Sequence, residues 1–170
     1  MAMTRSSFHP HLAASLACLL FAAPVVASEG VLTSIESRSQ QLTELSDYIW
    51  DLAEVGYQET RSSAALKDML SAEGFTIQSK VADIPTAFVA SYGSGEPVIA
   101  IMGEFDALPG ISQDAVPFEQ KIAGKNAAQA CGHHLFGTCS AGAAIAVKEW
   151  LERTGTAGTL QFFGTPAEEG

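Results

Sequence analysis

Apolar positions along this chain follow first a helical and then a strand-like period. From Ile35 to Glu54, Ile35, Leu42, Leu45, Ile49 and Leu52 fall near one face, with Glu36, Arg38, Glu44 and Asp47 elsewhere. That spacing predicts an amphipathic helix with Gly56 as its stop. Thr60 to Glu73 predicts a second helix, with Ala64, Leu66, Met69 and Leu70 apolar and Gly74 closing it. The pattern then changes. Phe75 to Val81 and Ala87 to Tyr92 read as strands, the second followed by the turn Gly93-Ser94-Gly95. Val98 to Met102 is a continuous apolar run, which fits a central strand buried on both faces. Ala107 to Gln129 has no clear period, and Pro109, Gly110, Pro117 and Gly124 mark it as a long loop. Long loops inside compact domains are often functional. Gly137 to Arg153 reads as a helix whose Ala141, Ala143, Ala144, Ala146 and Val147 allow close packing on a sheet. Thr159 to Phe163 is the last strand.

Helices first, then strands alternating with a helix, imply an α/β fold: a layered domain with a mixed sheet. There are no internal repeats. Polar residues gather after strand ends, Glu104 and Asp106 after one and Glu168 and Glu169 after another. Ligand sites in open α/β sheets lie there.

The first 27 residues depart from this pattern. Arg5 is followed by an apolar run from Leu12 to Ala23, broken only by Ser15, and then by Pro24 and Val25-Val26-Ala27. A basic start, a short apolar core and a small-residue end predict a signal peptide over residues 1–27, cleaved after Ala27. The run is too short to span a bilayer comfortably. The expectation is export to the periplasm or medium, with no membrane attachment after cleavage, and residues 28–170 as the folded part.

Composition narrows the function classes. Hydrophobic residues make up 47% of the 170, which excludes a wholly disordered chain. Nine basic residues against 19 acidic ones give a formal charge of −10, and loss of Arg5 takes it one unit further. Such a surface repels phosphate backbones, so nucleic acid is not an expected partner. Cys18 leaves with the signal, so Cys131 and Cys139 remain, and in an exported protein they could pair.

Three short segments carry candidate chemistry. In Gly103-Glu104-Phe105-Asp106-Ala107-Leu108-Pro109, two carboxylates follow an apolar strand, where burial requires a partner or a cation. In Ala130-Cys131-Gly132-His133-His134, a thiolate and an imidazole two residues apart can reach one metal, and Gly132 permits the turn between them. A nucleophilic Cys131 paired with His133 or His134 is the competing reading. In Glu168-Glu169, one carboxylate could bind a metal while the other takes a proton from water. For each acidic segment the alternative is a solvated loop.

The order of these segments resembles the M20 metallopeptidase and amidohydrolase family, and within it the branch that contains aminobenzoyl-glutamate hydrolases. Ile49 to Glu59 resembles the family's first-helix signature, Gly103 to Gly110 its Asp-Ala-Leu-Pro segment, Ala130 to Thr138 its Ala-Cys-Gly-His segment, and Pro166 to Gly170 its Pro-Ala-Glu-Glu-Gly. The resemblance implies a three-layer, mixed-sheet catalytic domain of zinc-peptidase type, incomplete at the C-terminus. It implies Cys131, His133 and Glu169 as metal ligands, Glu168 as general base, and Asp106 as the acid supporting the metal site from behind a ligand. It leaves Glu104 without a role and the choice between His133 and His134 open. Gln129 stands where many relatives have His, and Cys139 where a small residue is usual. Two divalent ions, zinc or manganese, are implied, with a small N-acyl or N-aroyl amino acid as substrate. Family members are longer and carry a dimerising domain and further histidine ligands. The expectation is therefore an N-terminal part of a homodimeric hydrolase, inactive alone; a non-catalytic metal-binding fragment is the other reading.

Overall fold

In a computed structural model, residues 27–170 are described, so the predicted signal peptide lies outside the described residues apart from Ala27. The chain runs α1 (Ala27–Ser37), α2 (Ser39–Leu52), α3 (Thr60–Ala72), β1 (Thr76–Ser79), β2 (Phe88–Ser94), β3 (Val98–Glu104), β4 (Leu108–Pro109), β5 (Ala127–Ala128), α4 (His133–Thr154) and β6 (Gly158–Thr165). No helix among them is long and apolar enough to cross a membrane.

The predicted first helix is two helices. At Arg38 the backbone leaves helical geometry (φ −105°, ψ 4°), and its guanidinium bonds Glu73 of α3, Glu149 of α4 and the Ser34 carbonyl. Arg38 thus ties three helices together at the break. The second piece ends at Ala53, which takes a left-handed conformation (φ 42°), three residues before the predicted stop at Gly56. The α3 prediction holds to within one residue. Its N-terminus is capped from outside by Glu54, which accepts the amides of Arg61 and Ser62 and the Ser62 hydroxyl.

The four main strands form a mixed sheet in the order β1-β2-β6-β3, antiparallel except for the parallel β6–β3 pair. Along β6, Gly158, Leu160, Phe162 and Gly164 are buried while their alternates are only partly so. Phe88 and Ala90, which pair with Gly164 and Phe162, join that face. Leu66 and Leu70 of α3 and Ala141, Ala144 and Ile145 of α4 close over it in one cluster with Phe105. Phe88 stacks on Phe162 with ring centroids 5.7 Å apart. Each such buried aromatic contributes about 1.5–3 kcal/mol.

One expectation fails. β3 is not a central strand: among the described residues it pairs only with β6, and Val98, Ile99 and Met102 are about half exposed. An unbroken apolar run reports the chemistry of both faces and carries no information on how many neighbours the strand has.

The long loop 107–129 contains the β4–β5 ribbon, and the Ala107 amide donates to the Glu54 carbonyl. Its start is thereby fixed beside the end of α2.

Candidate metal centre

Helix α4 starts at His133, four residues earlier than its small-residue pattern indicates. Both histidines therefore lie in its first turn. Gly132 precedes them with φ 98°, a conformation a side chain strains, and turns the chain between Cys131 and His133. The exposed helix amides need acceptors. Gln129, almost fully buried, supplies one: its Oε1 accepts the His134 amide at 3.1 Å. A Cβ on Gly137 would stand 2.6 Å from the Glu104 carbonyl, so only glycine lets α4 come this close to the end of β3.

That approach places His133 against the strand-end acids. His133 Nδ1 lies 2.8 Å from Asp106 Oδ1, and both side chains are buried. A carboxylate only accepts, so Nδ1 carries the proton and Nε2 faces the other way. Around Nε2 are Glu104 Oε2 at 3.0 Å, Glu168 Oε2 at 3.8 Å and Glu169 Oε1 at 3.8 Å. The second oxygen of Asp106 accepts the Glu169 amide at 2.9 Å, linking the two strand-end loops.

Two overlapping sets of donor atoms lie within 4.8 Å of one another: Cys131, His133 and Glu169, and Glu104, His133 and Glu168. The residues fit a cation for three reasons. Nε2 and the Glu104 carboxylate at 3.0 Å need a proton or a cation between them. Glu169 Oε1 is buried without a hydrogen-bond partner. Finally, burial pushes the Glu104 carboxyl above its ordinary range, Glu168, Asp106 and Glu169 adding to it and His133 opposing. A thiol, an imidazole and carboxylates suit zinc-like ions.

The structure brings together all five predicted site residues: Glu168, Asp106, Cys131, His133 and Glu169. It also separates the histidines. His134 belongs to neither donor set; its Nδ1 is buried without a partner, and burial holds its imidazole below the ordinary value. Glu104, left without a role by the sequence, is in contact with His133. Its place at the last position of β3 was the available signal. Cys131 and Cys139 are both free, so no disulfide competes for Cys131. The Glu169 carboxylate beside it pushes the Cys131 thiol up. An activated cysteine nucleophile requires the opposite.

Fold and site define a hydrolase catalytic domain of α/β type. Residues 100–170 match the model of peptidase family M20/M25/M40. A p-aminobenzoyl-glutamate hydrolase of Escherichia coli (strain K12) is 46% identical over 139 residues, covering 81% of this chain and 29% of its own length. A Bacillus subtilis protein described as a dinuclear metal-binding peptidase from the M20 family superposes with a TM-score of 0.59 at 31% identity, over 75% of this chain and 36% of that one. An aminobenzoyl-glutamate utilization protein from Klebsiella pneumoniae shares the fold, with a TM-score of 0.54 at 15% identity, over 82% of this chain and 39% of that one. The chain belongs to the M20 peptidase family, whose members include hydrolases, and it spans about a third of the length of these relatives.

Proposed function

We propose that the protein hydrolyses the amide bond joining an acyl or aroyl group to an amino acid, on substrates of the aminobenzoyl-glutamate kind. The observation that carries this is the meeting of Cys131, His133 and Glu169 at one point, with Glu169 Oε1 buried and unpartnered, beside the exposed carboxylate of Glu168. The name of the Escherichia coli relative supports the substrate class.

Cys131, His133 and Glu169 would hold a divalent ion, zinc or manganese. When bound, the ion supplies Lewis acidity toward water and the amide carbonyl. His133 Nε2 has one lone pair and serves only one of the two overlapping donor sets. The proposal of two ions therefore rests on the dinuclear relative. Asp106 holds His133 by its Nδ1–H, so that Nε2 faces the ion. Glu168, with 55% of its side chain exposed, is free to take a proton from the attacking water and return it to the leaving amine. Glu169, at 16%, is the more enclosed of the pair and suits the ligand role.

The test is turnover on a panel of N-acyl and N-aroyl amino acids, aminobenzoyl-glutamate among them, by the complete product of the reading frame that encodes this chain. Hydrolysis should stop on chelation and return with metal. Activity that survives chelation but not thiol alkylation would replace this reading with the cysteine-hydrolase one. We further propose export, with cleavage after Ala27, on the pattern of residues 1–27; an N-terminus still at Met1 in the mature protein would refute it.

A further inference from the structure

One fully buried acid has no task in the reading above. Glu59 is 0% exposed, and no cation among the described residues pairs with it. It precedes α3 but does not cap it, since Glu54 already takes those amides. Its carboxylate points instead into the sheet end. Oε2 accepts the hydroxyl of buried Thr86 at 2.9 Å, and Oε1 accepts the amide of Ala167 at 2.9 Å. A carboxylate buried on two neutral donors is expensive to keep, so an apolar residue would serve packing better.

Ala167 itself is in the left-handed region at φ 57°, which a non-glycine residue adopts only when its surroundings enforce it. Two residues on, the Glu169 amide is held by Asp106 Oδ2. The amides on either side of Glu168 are therefore each gripped by a buried carboxylate, Glu59 before it and Asp106 after it. Glu168 between them directs its side chain toward His133 Nε2, 3.8 Å away.

We propose that Glu59 is a positioning residue: it holds the turn at Ala167 so that the Glu168 carboxylate faces the donor atoms at His133. This rests on the reading of Glu168 as the general base. Glu169 has its own anchor in Asp106, so loss of Glu59 displaces the base and leaves the metal ligand in place. The signature is a split between turnover and metal binding, which general loosening of the fold would not give.

The experiment compares Glu59→Ala, Glu59→Gln and Thr86→Val in the complete protein, with amide exchange at Ala167 read by NMR. Glu59→Ala should lower kcat about 100-fold, the effect of a small misplacement of a catalytic group, with zinc affinity and KM little changed and Ala167 exchange accelerated. Glu59→Gln keeps an oxygen for the Ala167 amide and should restore most of kcat. If Glu59→Ala does not fold, Thr86→Val decides: it frees one end of the carboxylate and should lower kcat by a smaller factor, again without loss of zinc. Wild-type kcat in the folded variants, an equal fall in zinc affinity and kcat, or a Gln variant as poor as Ala would each overturn the proposal. If wild type shows no amide hydrolysis, the functional reading alone fails. Exchange at Ala167 then decides whether Glu59 holds the turn, and unchanged exchange in all three variants would sink it.

Discussion

The Nδ1–H of His133 donates to Asp106 Oδ1 at 2.8 Å, and the other oxygen of the same carboxylate accepts the Glu169 amide at 2.9 Å. One buried acid thus fixes the tautomer of an imidazole from α4 and the backbone of the acidic turn after β6. Both proposed ligands move if it moves.

Asp106→Asn should therefore weaken zinc binding. Asparagine has one oxygen, so either His133 or the Glu169 amide meets an NH2 group, donor against donor. Loss of such a supporting partner typically costs about 10- to 100-fold in metal affinity. Chelator-competition titration of the variant measures this; affinity equal to wild type would show that Asp106 orients nothing.

Most of this site was legible from residue order, while part of the fold was not. Four motifs in order named Cys131, His133, Glu168, Glu169 and Asp106, because metal chemistry restricts residue type sharply. The choice of His133 over His134 needed the start of α4, and alanine content hid that start behind Gly137. The break at Arg38 was invisible because apolar spacing continues across it, and the cause is a long-range contact to Glu73 and Glu149. The edge position of β3 was missed because hydrophobicity does not encode pairing partners. Glu59 was read only as part of a helix signature; nothing local distinguishes an acid that turns inward from one that caps.

Both cysteines should titrate as thiols in unreduced, denatured, metal-free protein, as neither is bridged. In the folded chain, zinc should protect Cys131 from alkylation and leave exposed Cys139 reactive. Mass spectrometry of the alkylated peptides resolves the two. Equal protection of both, or of neither, would remove Cys131 from the ligand set.

Acid should loosen the helical layer through Glu149. Burial pushes its carboxyl up, but hydrogen bonds from Ser34 and Arg38 and the charge of Arg38 outweigh that and hold it below its ordinary value. A group with a depressed folded-state pKa contributes stability above its unfolded pKa, near about 4.3 for glutamate, and loses it as pH falls through the folded value. The pair is partly exposed, so its contribution is about 0.5–1 kcal/mol after screening. Glu149→Gln should cost that much at pH 7 and little below pH about 4. Denaturant midpoints at the two pH values measure it, and an equal cost at both would show that charge plays no part.

The two neighbouring glutamates should separate chemistry from binding. Glu168→Gln keeps shape but cannot accept a proton, so turnover should fall by about 100- to 10,000-fold, the usual worth of a general base. Metal content should stay, because the exposed Glu168 is not needed to close the set of Cys131, His133 and Glu169. Glu169→Gln removes a charged donor whose Oε1 is buried with no other partner. Zinc affinity should fall there, and added zinc should recover part of the activity. Its amide still donates to Asp106, so the turn itself should survive. Metal analysis and amide hydrolysis on both variants of the complete protein give the comparison. If the two behave alike, losing metal together or retaining activity together, the assignment of one base and one ligand is wrong, and the solvated acidic loop is the better account of Glu168-Glu169.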